Sequence, residues 1–262
     1  MPVDPVVMSS SSLSELLSCG LKWKYRHVLK LPSPPSVRTV IGNATHSAVE
    51  RNLGQKIVST VDLPMDDVLD TFSTAFDKEA LDIEKPEEPI GQGKDSGVKL
   101  VKLHHIRVAP TITPLAVEQQ LQFTIGGKHY NTFADALEQR PDGIGLRELK
   151  TTARQPDPKS HLFQMIGAAL GFRFKWKQKE ADNRMDFLIR NKIPRYAKVL
   201  WGGPVDDPAI RVFSQQVEYA NKMISAGLFM ANGIQNHVCG YCSYTAICPA
   251  YKAVYGKAVV NS

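Results

Sequence analysis

Two carboxylates and an amine carry the clearest local chemistry in this sequence. Asp135 is followed, after twelve intervening residues, by Glu148-Leu149-Lys150-Thr151. On a strand, positions 148 and 150 share a face because the side-chain period is two. A turn at Pro141-Asp142-Gly143 would bring Asp135, on the preceding antiparallel strand, alongside them. Two carboxylates alone repel a phosphodiester. With magnesium or manganese between them the local charge inverts, and phosphate oxygens become ligands. Such an ion polarises the phosphoryl group and lowers the pKa of a bound water. Lys150 would then orient that water and stabilise charge building on phosphorus. Taken alone, the same three residues also describe a cross-strand salt bridge. His46, in Gly42-Asn-Ala-Thr-His46, and Gln164, on the helix after the Glu-x-Lys strand, are candidate partners, although each also reads as an ordinary helix residue.

The cysteines form the second constellation. There are four, with Cys239, Cys242 and Cys248 spaced Cys-x2-Cys-x5-Cys near one end and Cys19 near the other. A chain expected to be cytoplasmic keeps its thiols reduced, which argues against disulfides. Zinc and an iron–sulfur cluster both accept four thiolates. Zinc ribbons generally use two short knuckles, and Cys19 stands alone, so the spacing favours a 4Fe–4S cluster. By analogy with a covalent cross-link, closing so long a loop would constrain the unfolded chain by on the order of 5 kcal/mol.

The elements that must position these residues follow from hydrophobic periodicity. A flexible leader over residues 1–11 precedes a short helix through about Lys24, and Leu31-Pro-Ser-Pro-Pro35 is a stiff connector. Helices are expected at Val37–Val58, Met65–Leu81 and Gly97–Val108, with a surface loop over 84–93. Alternation then predicts strands at Leu115–Ile125, Tyr130–Leu137 and Ile144–Thr151, with Gly126-Gly127 as a hairpin turn. A helix from about Pro158 to Phe174, strands at Met185–Arg190 and Ala197–Trp201, and a helix from Pro208 to Phe229 follow. The order implies an α/β fold, a mixed central sheet flanked by helices. We expect a single domain over 1–262: a mainly helical lobe (1–110), a sheet core (111–230) and a cysteine-rich tail (231–262) joined to Cys19.

The composition is that of a folded chain. With 262 residues and 43% hydrophobic, it can bury a substantial core, and a net charge of +6 suits a polyanionic partner without requiring one. No apolar run approaches the ~18 residues of a membrane span, and the start lacks the features of a secretory signal. Two segments mix basic and aromatic residues, Lys22–His27 and Arg173–Lys179. They could follow a phosphate backbone with stacked bases, or place cations near helix ends with the rings in the core.

In this order, the signals resemble the RecB-like, iron–sulfur branch of the PD-(D/E)xK nuclease superfamily, which includes AddB-type domains and small CRISPR-associated nucleases. The matching residues are Ser12-Leu13-Ser14, Cys19, Trp23-Lys24-Tyr25-Arg26, Gly42-x3-His46, Asp135, Glu148-x-Lys150-Thr151, Gln164 and the cysteine triplet. The resemblance implies a restriction-endonuclease-like fold, with His46, Asp135 and Glu148 binding Mg2+ or Mn2+ and Lys150 assisting hydrolysis. Gln164 would position the lysine or the nucleic acid, and Cys19, Cys239, Cys242 and Cys248 would hold the 4Fe–4S cluster. The implied activity is a DNA exonuclease on single-stranded or frayed ends, with a helicase or a CRISPR integration complex as partner. The alternative is a non-catalytic assembly subunit of a DNA-processing complex. Two positions depart from the family pattern: no glycine lies two or three residues before Asp135, and Ala168 stands where many members carry tyrosine.

Overall fold

Alternating apolar residues fold the middle of the chain into strands, and helices from both sides of the sequence cover them. The computed structural model describes residues 8–154, 157, 161–236 and 238–256. The elements are β1 (Met8–Ser9), α1 (Ser10–Ser18), α2 (Gly20–Trp23), a π-helical turn (Lys24–Val28), α3 (Val37–Ser59), α4 (Met65–Ala80) and α5 (Ile90–Arg107). Then come β2 (Pro114–Ile125), β3 (Lys128–Arg140), β4 (Gly143–Thr152), α6 (Leu162–Trp176), β5 (Asn183–Ile189), β6 (Arg195–Trp201), α7 (Asp207–Ser225) and α8 (Pro249–Tyr255).

The sheet is mixed, as the element order predicts. β2 and β3 form an antiparallel hairpin through Gly126 and Gly127, whose positive φ values of 57° and 73° suit the tight turn. β3 and β4 pair antiparallel, β4 and β5 run parallel with α6 as the crossover, and β5 and β6 are antiparallel. The β3–β4 ladder stops at Ala136↔Arg147, and farther along β3 the short β1 pairs parallel at Tyr130 and Asn131. Between these points the two strands part, and the site described below forms there. On one face, Val40, Ile41 and Ala44 of α3 and Phe72 and Phe76 of α4 pack with Ala136, Leu149 and Leu188. On the other, Leu13, Leu16, Ala169, Phe172 and Phe213 pack with Leu121, Phe123 and Tyr130. The architecture is the expected restriction-endonuclease-like mixed sheet flanked by helices.

Several boundaries differ from expectation, each for a physical reason. α5 starts at Ile90, seven residues before Gly97. Gly93 and Gly97 serve close helix packing rather than a loop: a Cβ on Gly93 would lie 2.3 Å from Val37, and one on Gly97 2.2 Å from Phe72. The first helix is interrupted at Cys19, which is extended at φ −160° and ψ 104°. Residues 8–11, expected in a leader, already form β1 and the start of α1, where Ser9 Oγ accepts from Ser12 N–H as the N-cap. α7 ends at Ser225 rather than Phe229 because Gly227 takes φ 68°. The Gly227 and Leu228 N–H groups then bond back to Ile224 and Met223 as a C-terminal cap. The leader's residues 1–7, the expected helix start at Pro158 and the tail's residues 257–262 lie outside the described residues.

Candidate metal centre

β4 carries Glu148 and Lys150 on one face, and the two side chains meet: Lys150 Nζ donates to Glu148 Oε2 at 3.1 Å. Gln164, in the first turn of α6, donates Nε2 to the same oxygen at 2.9 Å. Glu148 is 1% exposed, and its second oxygen, Oε1, is buried with no hydrogen-bond partner. Burial, reinforced by the nearby Asp135 and opposed by Lys150, pushes the Glu148 carboxyl up to about 8. A buried, unpaired carboxylate oxygen is costly, and a cation would satisfy it.

Asp135 lies one residue past the end of the β3–β4 ladder. Its Oδ2 accepts the Leu149 N–H at 2.6 Å, replacing the main-chain acceptor lost where the strands part. His46 Nδ1 from α3 is 3.6 Å from the same oxygen. α3 can approach because Gly42, one turn earlier, has no side chain to press on Thr151, whose Oγ1 lies 3.2 Å from where a Cβ would sit. Burial holds the His46 imidazole below its usual range despite Asp135, which favours the neutral form that ligates metals.

Sequence reasoning missed Glu118. It lies on β2 between the pairs Val117↔Ala136 and Gln119↔Ala134, and therefore opposite Asp135. Its φ is +44°, uncommon for a residue with a Cβ. Burial first, and then Asp135 and Glu50, push its carboxyl up to about 7. His46, Glu118 and Asp135 each bring one ligand atom within 4.8 Å of the others, close enough to surround a small divalent ion. Continuing the β3–β4 register sets Glu148 against Asp135, so three adjacent strands present a row of Glu118, Asp135 and Glu148. Like charges directly opposite one another destabilise a sheet; a bound divalent ion reverses that. The expected ligands His46 and Asp135 are thus brought together with Glu118, while Glu148 borders them, its Oε2 engaged by Lys150 and Gln164.

The four cysteines also converge. Cys19, Cys239, Cys242 and Cys248 line one cavity with Leu21, Tyr25, Val238 and Tyr244. Burial pushes the Cys239 thiol up, and the other three sulfurs add to it. The tail is held to the N-terminal segment independently of any bound group. Asn232 accepts from Gly20 N–H at 3.2 Å and donates to Leu17 O at 2.8 Å, and Tyr244 Oη donates to Leu31 O at 3.0 Å.

Of the two basic–aromatic segments, the first is consumed internally. Trp23 is fully buried and donates to Ser12 Oγ, while Lys22, Arg26 and His27 all converge on Glu15. Burial alone would raise the Glu15 carboxyl, but these partners hold it at about 2. In the second segment Arg173 is tied to Glu180, whereas Phe174 and Lys175 stay exposed.

The family model described as the PD-(D/E)XK nuclease superfamily matches residues 7–249. Among solved structures, a putative exonuclease from Eubacterium rectale superposes with a TM-score of 0.59 at 10% identity, covering 97% of this chain and 89% of that one. SSO0001 gives a TM-score of 0.41 at 16% identity, covering 88% of this chain and 95% of that one. Among curated proteins, none matches the sequence.

Proposed function

Because the chain belongs to the PD-(D/E)XK nuclease superfamily, we propose that it is a metal-dependent DNA exonuclease acting on single-stranded or frayed ends. The observation that carries the reading is the row of Glu118, Asp135 and Glu148, with an orphaned buried carboxylate oxygen beside a lysine. His46, Glu118 and Asp135, with Glu148 adjoining, would hold Mg2+ or Mn2+. When bound, such an ion polarises the phosphodiester and lowers the pKa of an attacking water. Lys150, held by Glu148, directs an ammonium proton at the attacking water and stabilises negative charge on the phosphoryl oxygens. Gln164 fixes the Glu148 carboxylate from the α6 side, which keeps Lys150 in register.

Cys19, Cys239, Cys242 and Cys248 would hold a 4Fe–4S cluster; four thiols around one apolar cavity are a fitting donor set. Its role would be mechanical, tying the tail of a single 1–262 domain to Cys19, with duplex unwinding left to a partner such as a helicase or a CRISPR integration complex. Among the described residues no helix is long and apolar enough to cross a membrane; the proposed DNA substrate is what would place the enzyme in the cytoplasm.

Anaerobically purified protein should degrade end-labelled DNA with manganese, and Lys150→Ala should bind the same DNA without cutting it. If wild type carrying its metal leaves DNA intact, the reading is wrong and the assembly-subunit alternative takes its place.

A further inference from the structure

Beyond Lys150, the end of β4 opens into a cleft of about 340 Å³ lined by Arg38, Thr151, Thr152, Arg154, Arg190 and Tyr241. Thr151 faces away from Lys150 and sits against Gly42 of α3. Arg38, Gly42 and His46 are spaced four residues apart along one face of α3, so the cleft runs along the helix that brings His46 to the metal centre. Its three arginines come from three separate places, namely α3 and the residues that follow β4 and β5. Arginine binds phosphate through a planar fork and also stacks on flat rings. The acidic segment before α5 shows that this wall holds anions. Glu87 accepts the Val37 and Arg38 N–H groups at 3.0 Å each, and Glu88 pairs with Arg190. Arg38 still keeps 65% of its side chain exposed. Tyr241 is 71% exposed. It ends the short 3₁₀ turn Cys239–Tyr241, between two of the four cysteines.

We propose that this cleft guides an unpaired nucleic-acid strand to or from the scissile phosphate, with Arg38 and Arg154 on backbone phosphates and Tyr241 stacked on a base. The assignment rests on the nuclease reading and names the strand path for the same site. A single strand fits better than a duplex because an exposed ring can stack only on a base face freed from its neighbours. A group bound by the four cysteines would also fix the turn that carries Tyr241 and so set the position of the stacking ring.

The test is binding of a labelled oligothymidylate and of a blunt hairpin duplex, with calcium replacing manganese to suppress cutting. Wild type should prefer the single strand. Tyr241→Ala should weaken that binding about tenfold, the scale of one lost base stack, and Tyr241→Phe should restore it. Arg154→Ala should flatten the plot of log K against log salt by about 0.7. Lys78→Ala, an exposed lysine of α4 outside the cleft, should leave the slope unchanged. The assignment is overturned if wild type fails to bind the single strand or prefers the duplex, or if neither cleft variant changes affinity or slope. Failure of wild type to cut with manganese would count against the nuclease reading instead. Normal cutting with both cleft variants unaffected removes only the cleft.

Discussion

Neighbouring residues of β4 build two charged clusters with opposite outcomes. Facing away from Glu148 and Lys150, Arg147 is buried and bonds to Glu138 through Nε and Nη2 and to Asp186 through Nη1. Tyr196 Oη completes the second Asp186 oxygen at 2.6 Å. Two acids meet Arg147 and a hydroxyl, and Glu138 Oε2 also lies 3.7 Å from Arg140 Nε, so two cations face two carboxylates. In the other cluster, Glu118, Asp135 and Glu148 face one ammonium and an imidazole held neutral, and a carboxylate oxygen is left over. The residue types are nearly the same; what differs is whether the charges balance. A balanced buried cluster is architecture, and an unbalanced one calls for a cation from outside.

That contrast can be broken from either side. The largest expected effect is on chemistry: Asp135→Asn keeps an acceptor for the Leu149 N–H but removes a charge from the row. Cleavage should fall about 10³-fold, the scale of losing a charge-stabilising group, while thermal denaturation shows a melting temperature that is unchanged or raised. Arg147→Met should do the reverse in kind. Removing the buried cation that Glu138 and Asp186 share costs about 3–5 kcal/mol, readable in urea titrations.

The sequence made the metal-site cluster only partly legible. Glu148 and Lys150 could be read because strand alternation alone sets them on one face, and Asp135 because the Pro-Asp-Gly turn fixes its return. Glu118 is missed by spacing along one strand, since its role depends on a cross-strand register, and its positive φ leaves no mark in a pattern of residue types. Reading the β2–β3 hairpin outward from Gly126-Gly127 would have set it opposite Asp135. The same limit applies to packing: the glycines of α5 resemble loop residues until Val37 and Phe72 are seen pressed against them. Trp23 and its basic neighbours resemble a DNA-binding segment until Glu15 is seen gathering them.

The next effect is a pH dependence. The Glu148 and Glu118 carboxyls sit at about 8 and about 7 in the folded protein, above the ordinary 4.5. Between these values the fold binds protons that the unfolded chain has released, so metal-free stability should fall as pH rises from about 4.5 through 8. Manganese displaces those protons, and its gain in melting temperature should be larger at about pH 8 than near pH 5.5. A gain independent of pH would mean that the metal binds elsewhere. The smallest effect belongs to Gln164→Ala, which removes one neutral donor from Glu148 Oε2. Single-turnover cleavage should slow by about fivefold, consistent with roughly 1 kcal/mol for such a bond.

The most direct test of the unbalanced row is calorimetric titration of the metal-free protein with manganese in buffers of different ionisation enthalpy. Saturable binding should release protons and be lost in Asp135→Asn and weakened in Glu118→Gln. Binding that ignores both substitutions, or no binding at all, would contradict the account.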